Sequence, residues 1–220
     1  MANTMNNDKT KSPKNNKNIK SNIIKLVTWN VNGIRASYDK GLKNFIDEYK
    51  PDILCLQETK AHRDQVEPIK QTLGYEHSFW SSAERKGYSG VATFLHEKPL
   101  KTLTSIDHSE YEKEGRIVWT RLEKFDVYNI YFPNGASGPE RHFFKQKFLK
   151  DLLAHLKFEL KKGREIIVVG DYNVGYLDHD VFDPARLSQE SGFLPEERRW
   201  FRQLLEIGFT DVFRFLHPDK

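Results

Sequence analysis

Three apolar stretches of the 220-residue chain end abruptly on oxygen-bearing side chains. Residues 166–169 (IIVV) are followed at once by Gly170, Asp171 and Asn173. LVTW ends on Asn30, with Asn32 two positions on, and ILCL leads through Gln57 to Glu58. Side chains two apart point to the same side of an extended backbone, so Asp171 and Asn173 can address one point. Glu58 and Asp171, arriving there from different strands, would repel unless a cation neutralised them. Ligation by oxygen alone, with one or two carboxylates, several waters and a substrate phosphate, suits Mg²⁺. The chemistry that fits such a set is metal-assisted phosphodiester hydrolysis. A further run, YNIYFPNG (128–135), supplies Tyr131 and Asn134, a phenol and an amide able to donate to a phosphate oxygen. Taken singly, each feature has a plain structural reading. Asn32-Gly33 is a turn signal, Glu58 a solvated strand terminus, Gly-Asp-x-Asn a β-turn, and Tyr131 a packing residue before a turn at Pro133. The convergence of several such strand ends is what favours a site.

These side chains need strands to carry them and helices to cover the strands. IIKLVTWN (23–30) and ILCLQE (53–58) read as strands. Between them, GLKNFIDEYK places Leu42, Phe45, Ile46 and Tyr49 on one helix face and stops at Pro51-Asp52. A helix is expected near 64–73, ending at Gly74, and strands around 75–80, 90–95, 100–106, 116–122 and 125–132. A long helix over 139–161 puts Phe144, Phe148, Leu152, Leu156 and Leu160 on one stripe, ahead of a strand at 165–169. FLPEERRWFRQLLEIG has Pro195 early, acids in its first turn and Gly208 at its end, and so reads as another helix. TDVFRFLHPDK starts a short one. Strands outnumber helices and are mostly hairpin-linked, which predicts an α/β sandwich of two packed sheets covered by helices.

Composition narrows the class. With 38% hydrophobic and 30% charged residues, the chain fits one soluble globular domain. No run approaches the length of an apolar membrane span. Cys55 is the only cysteine, which excludes a disulfide framework and favours a reducing compartment. The net charge of +4 sits entirely in residues 1–22, which hold five lysines and one acid; residues 23–220 balance at 30 basic and 30 acidic groups. Overall charge is therefore no argument for nucleic-acid binding. The Asn/Lys-rich segment 1–22 has too few apolar residues to fold and is expected to be a disordered tail. It lacks the apolar core of a signal peptide and the arginines of a transit peptide.

Six segments together carry a family resemblance. LVTWNVNGIRA (26–36), PDILCLQETK (51–60), GYSGVATF (87–94), GRIVWTRLEKFDVYNIYFPNG (115–135), IIVVGDYNV (166–174) and GFLPEERRWFRQLL (192–205) resemble the exodeoxyribonuclease III family. These are the class II apurinic/apyrimidinic (AP) endonucleases of the endonuclease/exonuclease/phosphatase superfamily. The resemblance implies a four-layer αββα sandwich, with two mainly antiparallel sheets flanked by helices. It implies that Glu58 is a metal ligand, that Asn30 supports the metal and the catalytic centre, and that Asn32 is a neighbouring metal-side ligand. Tyr131 would hydrogen-bond the scissile phosphate, Asp171 would orient or deprotonate the attacking water, and Asn173 would hold the phosphate or nucleophile. Asn134 matches a phosphate-contacting position near the abasic nucleotide. The implied activity is cleavage of duplex DNA 5′ to abasic sites and removal of 3′ nucleotides or blocking groups, with Mg²⁺, or Mn²⁺ in its place. The implied partner is double-stranded DNA with abasic sites or 3′ ends, met by a monomer without a membrane. The expected location is the cytoplasm, or the nucleus in a eukaryote.

Two further motifs of that family, Arg-Ile-Asp and Ser-Asp-His, would lie downstream of FRFLHPD (213–219) and do not occur in the 220 residues. The domain is thus expected over 23–220, incomplete at its C-terminal end and lacking the last strands of the family fold. Asp178-His179 imitates the final Asp-His pair, but no strand precedes it to aim it at the site. Two alternatives follow. One is a catalytically incomplete fragment that binds DNA or metal without turnover. The other is a superfamily phosphodiesterase with another substrate, such as a phosphoinositide or sphingomyelin.

Overall fold

The computed structural model describes residues 23–106 and 109–220. The expected tail, 1–22, lies outside the described residues. The chain order is β1 (Leu26–Asn30), α1 (Ile34–Ser37), a π-turn (Tyr38–Leu42), α2 (Lys43–Tyr49), β2 (Ile53–Gln57), a 3-10 turn (Arg63–Gln65), α3 (Pro68–Thr72), β3 (His77–Ser81) and β4 (Val91–Leu95). Then come β5 (Lys101–Leu103), α4 (Ser109–Glu112), β6 (Ile117–Arg121), β7 (Asp126–Tyr131), α5 (Pro139–Lys161), β8 (Ile166–Asp171), a 3-10 turn (Asp178–Asp180), α6 (Pro184–Leu187), α7 (Pro195–Glu206) and α8 (Val212–Leu216).

Two four-stranded sheets form, ordered β1-β2-β4-β3 and β5-β6-β7-β8. β1 runs parallel to β2 and β7 parallel to β8, while the other pairings are antiparallel. Parallel neighbours need a crossover rather than a hairpin. Helices α1 and α2 supply it in the first sheet and α5 in the second. Both parallel pairs therefore present the carboxyl ends of their strands together, the end at which open α/β sheets bind ligands. The outer strands β1 and β8 lie against each other across the sandwich. This is the sandwich expected from the sequence.

Alternation along the strands divides the core into three layers. Leu54 and Leu56 of β2, with Ala92 and Phe94 of β4, face outward onto Val31, Ile34, Leu42, Val66 and Leu73. Ile53 and Cys55 face inward and meet Leu95, Leu122 and Val127 between the sheets. Tyr128 and Ile130 of β7, with Ile117 and Trp119 of β6, face the buried Phe148, Leu149, Leu152 and Leu156 of α5 and Trp200 and Leu204 of α7. The inter-sheet layer also holds a polar bolt. Gln57 Nε2 donates to Asn129 Oδ1 at 2.7 Å, and Asn129 Nδ2 donates to the Ala92 carbonyl at 3.0 Å. Both side chains are buried, so the pairing fixes β2 against β7.

One helix keeps to the periodic reading and one departs from it. The 42–45–46–49 stripe lies on one continuous helical stretch, because the break at Gly41 (φ 134°) comes before Leu42, and Phe45 and Ile46 are half-buried on its inner face. Leu42 is buried in the π-turn, whereas Tyr49 is 52% exposed at the end of α2. The helix expected at 64–73 is broken by Pro68 into a 3-10 turn and the short α3, since proline starts a helix better than it continues one. Among the described residues no helix is long and apolar enough to cross a membrane.

Candidate active site

Four of the predicted side chains meet where the two parallel pairs end. Asn30 closes β1 and pairs in register with Gln57, which puts Glu58 one residue beyond the end of β2. Tyr131 closes β7 opposite Asp171, the last residue of β8. A single amide then spans the gap between the sheets. Asn30 Nδ2 donates to Glu58 Oε1 and to Asp171 Oδ2, both at 2.8 Å. Its oxygen is occupied as well, accepting the Asn32 N–H at 3.0 Å. These contacts orient the amide, because only its nitrogen can face two carboxylates.

The backbone at these ends is bent away from strand geometry. Asn32, Glu58 and Asn173 have φ of 47°, 51° and 50°. Asparagine tolerates the left-handed region, but at Glu58 it costs about 1–2 kcal/mol. The turn is held from the neighbouring strand end: the Gly33 N–H donates to the Glu58 carbonyl at 2.7 Å and the Ile34 N–H to that of Thr59 at 3.0 Å. On the other sheet Gly170 has φ 140°, and any Cβ there would run into the Ile130 carbonyl. Glycine at 170 is thus what lets β8 lie close to β7 just before Asp171.

Asp171 Oδ1 accepts the Asn173 N–H at 3.1 Å, and Asn173 Nδ2 donates to the Phe132 carbonyl at 2.9 Å. The second hydrogen of that amide has no partner among these contacts. Asn134 is exposed, and its oxygen accepts the Ala136 N–H at 2.8 Å, so it caps its own turn and shares no hydrogen bond with the two carboxylates. Asn32 likewise stands at the exposed rim, where its Oδ1 accepts from Lys60.

Several neighbours of the candidate site were not singled out by the sequence. Lys60 Nζ lies 2.8 Å from Glu58 Oε2 and also donates to Asn32, so one ammonium is shared by two of the predicted metal-side oxygens. Burial pushes the Glu58 carboxyl up, but donors from Lys60, Asn30 and Tyr131 outweigh it and leave it below its ordinary value. Burial and the bond to Glu58 push the Tyr131 phenol well up, so it stays a neutral donor. Arg116, 1% exposed, lies with its guanidinium 4.9 Å from the centre of the Tyr131 ring and donates to the Tyr131 carbonyl at 3.1 Å. Its own charge is met by Glu114 at 2.9 Å. An arginine opening the apolar strand IVWTR was the available signal for it. Asp178-His179 has no place in this cluster: Asp178 pairs with Arg198 at 2.8 Å and His179 is exposed on a 3-10 turn.

Among the described residues no three His, Cys, Asp or Glu side chains gather as a ligand set. The donors present are instead two ionisable carboxylates and amide oxygens. They are hard oxygen donors of the number Mg²⁺ uses, and a lysine ammonium already sits between Glu58 and Asn32 as a cation does.

Residues 27–217 match the family model described as Endonuclease/Exonuclease/phosphatase family. The chain is similar to an exodeoxyribonuclease of Bacillus subtilis, 37% identical over 197 residues that cover 89% of this chain and 77% of that protein. It is 38% identical to the DNA repair nuclease APEX1 of Danio rerio over 90% of this chain and 64% of the relative's length. The solved structure of an AP endonuclease from Archaeoglobus fulgidus superposes with a TM-score of 0.81 at 32% identity, over 90% of this chain and 76% of that one. The chain belongs to the endonuclease/exonuclease/phosphatase family, in its exodeoxyribonuclease III and AP endonuclease branch.

Proposed function

We propose that this chain is a Mg²⁺-dependent phosphodiesterase of DNA repair, cutting duplex DNA on the 5′ side of abasic sites and removing 3′ nucleotides or blocking groups. The observation that carries the reading is the Asn30 amide, bonded at 2.8 Å to Glu58 on one side and Asp171 on the other. It sets a metal-binding carboxylate and a proton-accepting carboxylate at a fixed spacing. The relatives' names, an exodeoxyribonuclease and a DNA repair nuclease, support DNA as the substrate.

Glu58, ionised, with Asn32 beside it, would hold the metal. Mn²⁺, with similar oxygen preferences, would substitute for Mg²⁺. When bound, the ion supplies positive charge against the phosphate oxygens and the leaving oxygen. Asp171 takes a proton from the attacking water as the new P–O bond forms, and the bond from phosphorus to the 3′ oxygen breaks with its electron pair going to that oxygen, which is protonated from solvent water. Positioned proton transfer of this kind contributes roughly 10²–10⁴ in rate. Tyr131, a neutral phenol backed by Arg116, exchanges its bond to Glu58 for one to a phosphoryl oxygen, and the second hydrogen of the Asn173 amide donates to another. Asn134, on the exposed turn, meets a flanking phosphate.

The test is incision of a 5′-labelled duplex with one abasic site, by the protein with Mg²⁺ and with chelator. Cleavage 5′ to the site that needs the metal and is lost in Asp171→Ala is expected. Folded protein that leaves the abasic duplex intact, or an Asp171→Ala variant that still cuts, would overturn the proposal. Preference for a phosphoinositide or sphingomyelin would transfer it to another substrate class.

A further inference from the structure

We infer that Lys145, Glu197 and Ser191 form a buried positioning network that locks together the two loops carrying Asn134 and Asn173. The catalytic part of this inference rests on the function proposed above; the positional part does not.

Lys145 of α5 and Glu197 of α7 are both 0% exposed and meet at 2.6 Å. An isolated buried ion pair is a poor way to join two helices, since desolvation of the charges consumes most of their attraction and a well-packed apolar pair does as well. What this pair has that an apolar pair lacks is directed hydrogen bonds, which reach the Asn173 turn directly and the Asn134 turn through Ser191. Lys145 Nζ donates to the Asn173 carbonyl at 2.8 Å and to Ser191 Oγ at 3.4 Å. Glu197 Oε2 accepts the Gly192 N–H at 2.6 Å and the Leu194 N–H at 3.2 Å. Ser191 Oγ donates to Glu197 Oε1 at 3.3 Å and accepts the N–H of Gly135 at 3.1 Å. With one donor and two acceptor contacts, that hydroxyl is fully used.

The consequence is a single connected unit. Asn173 turns the chain at φ 50°, and the ammonium holds its carbonyl. Gly135, next to Asn134, comes so close that a Cβ on it would stand 2.7 Å from Ser191 Oγ. Asp171 is near enough for its charge to act on Lys145. The phosphate-facing turn at 132–135 and the turn after β8 are therefore fixed to one another through α5 and α7 as well as through their strands.

The test uses Ser191→Ala, at a half-buried position, with Ser191→Thr as the variant that restores the hydroxyl. Amide hydrogen exchange reads the position directly. Exchange at Gly135 should accelerate about tenfold in Ser191→Ala, the factor that one hydrogen bond carries in an opening equilibrium, while Leu54 and Ile130 stay protected. Ser191→Thr should return it. In the incision assay Ser191→Ala should lower kcat more than it raises KM, and its effect should shrink several-fold in an Asn134→Ala background. Unchanged exchange at Gly135 would overturn the network. An equal cost of Ser191→Ala with and without Asn134 would reduce it to a purely structural role. If the wild-type protein does not cut abasic DNA, the functional proposal fails, and the exchange result alone still decides the positional one.

Discussion

Replacing Asn30 by alanine tests the site at its narrowest point. The side chain donates two bonds at 2.8 Å, each to a carboxylate. Hydrogen bonds to charged groups contribute about 1.5–3 kcal/mol when shielded from water. Glu58 and Asp171 are only half-buried, and water can replace the amide, so the low end applies to each. The pair then amounts to roughly 3 kcal/mol of positioning, or about 100-fold in kcat/KM. A second effect has a definite direction. Burial pushes the Glu58 carboxyl up, and Asn30 is one of the donors that together hold it below its ordinary value. A carboxylate held down in this way stays ionised to lower pH. With the amide gone it protonates earlier on acidification, so the acid limb of the pH–rate profile moves to higher pH. Single-turnover incision of an abasic duplex at saturating Mg²⁺, repeated across pH, measures both quantities. A variant that folds normally and cuts within about threefold of wild type, with its acid limb unmoved, would refute the reasoning.

Three other substitutions probe the scaffold and the site. Asp126→Asn removes a buried carboxylate bonded to Arg121 at 2.9 Å and Arg164 at 2.7 Å; both arginines reach solvent and Arg121 keeps Glu159, so the cost in urea unfolding at neutral pH should be about 1.5–3 kcal/mol. Burial pushes that carboxyl up, but bonds from Arg121, Arg164 and Trp119 outweigh it and leave it below its ordinary value. Its contribution is therefore present above the unfolded value of about 3.9 and is lost as pH falls through the lower folded value. The wild type should lose more stability than the variant over that acid range. Gly170→Ala should destabilise by more than about 2 kcal/mol, from the left-handed backbone and the collision with the Ile130 carbonyl, and a thermal midpoint within a degree of wild type would contradict it. Tyr131→Phe should leave the melting temperature near wild type, since the phenol meets Glu58 at a half-buried rim, yet cut kcat at least tenfold.

The sequence made the strand ends readable because each broke its own pattern. An apolar run that stops on Asn30, Glu58 or Asp171 signals its position without any knowledge of the partner strand, and the parallel pairings turned those ends toward one place. The supporting charges were harder to see, although some left a trace. Lys145 and Glu159 fall on the buried face of α5 with Phe148, Leu152 and Leu156, at spacings that a solvated charge would avoid. What no spacing could supply was the partner, since Glu197 stands on another helix and reads as an ordinary first-turn acid. Asn129 is a similar case. Its place in alternation with Val127 directs it inward, but only the packing of the sheets brings Gln57 opposite. The stripe at 42–49 was legible because Gly41 breaks the helix before it rather than within it.

The polar bolt between Gln57 and Asn129 has an implication for tolerance. Each sheet supplies half of the site, Asn30 and Glu58 from one, Tyr131 and Asp171 from the other, and the bolt adjoins both halves. The separation of the sheets is thereby a dimension of the candidate site as well as of the core. Ile53, Cys55, Leu95, Leu122 and Val127 act as its shims. A methyl group added or removed among them should shift the gap, and the Asn30 bridge, with its two bonds at 2.8 Å, is the contact that reads such a shift most directly. Drift in these five positions should accordingly be constrained by turnover well before it is constrained by unfolding.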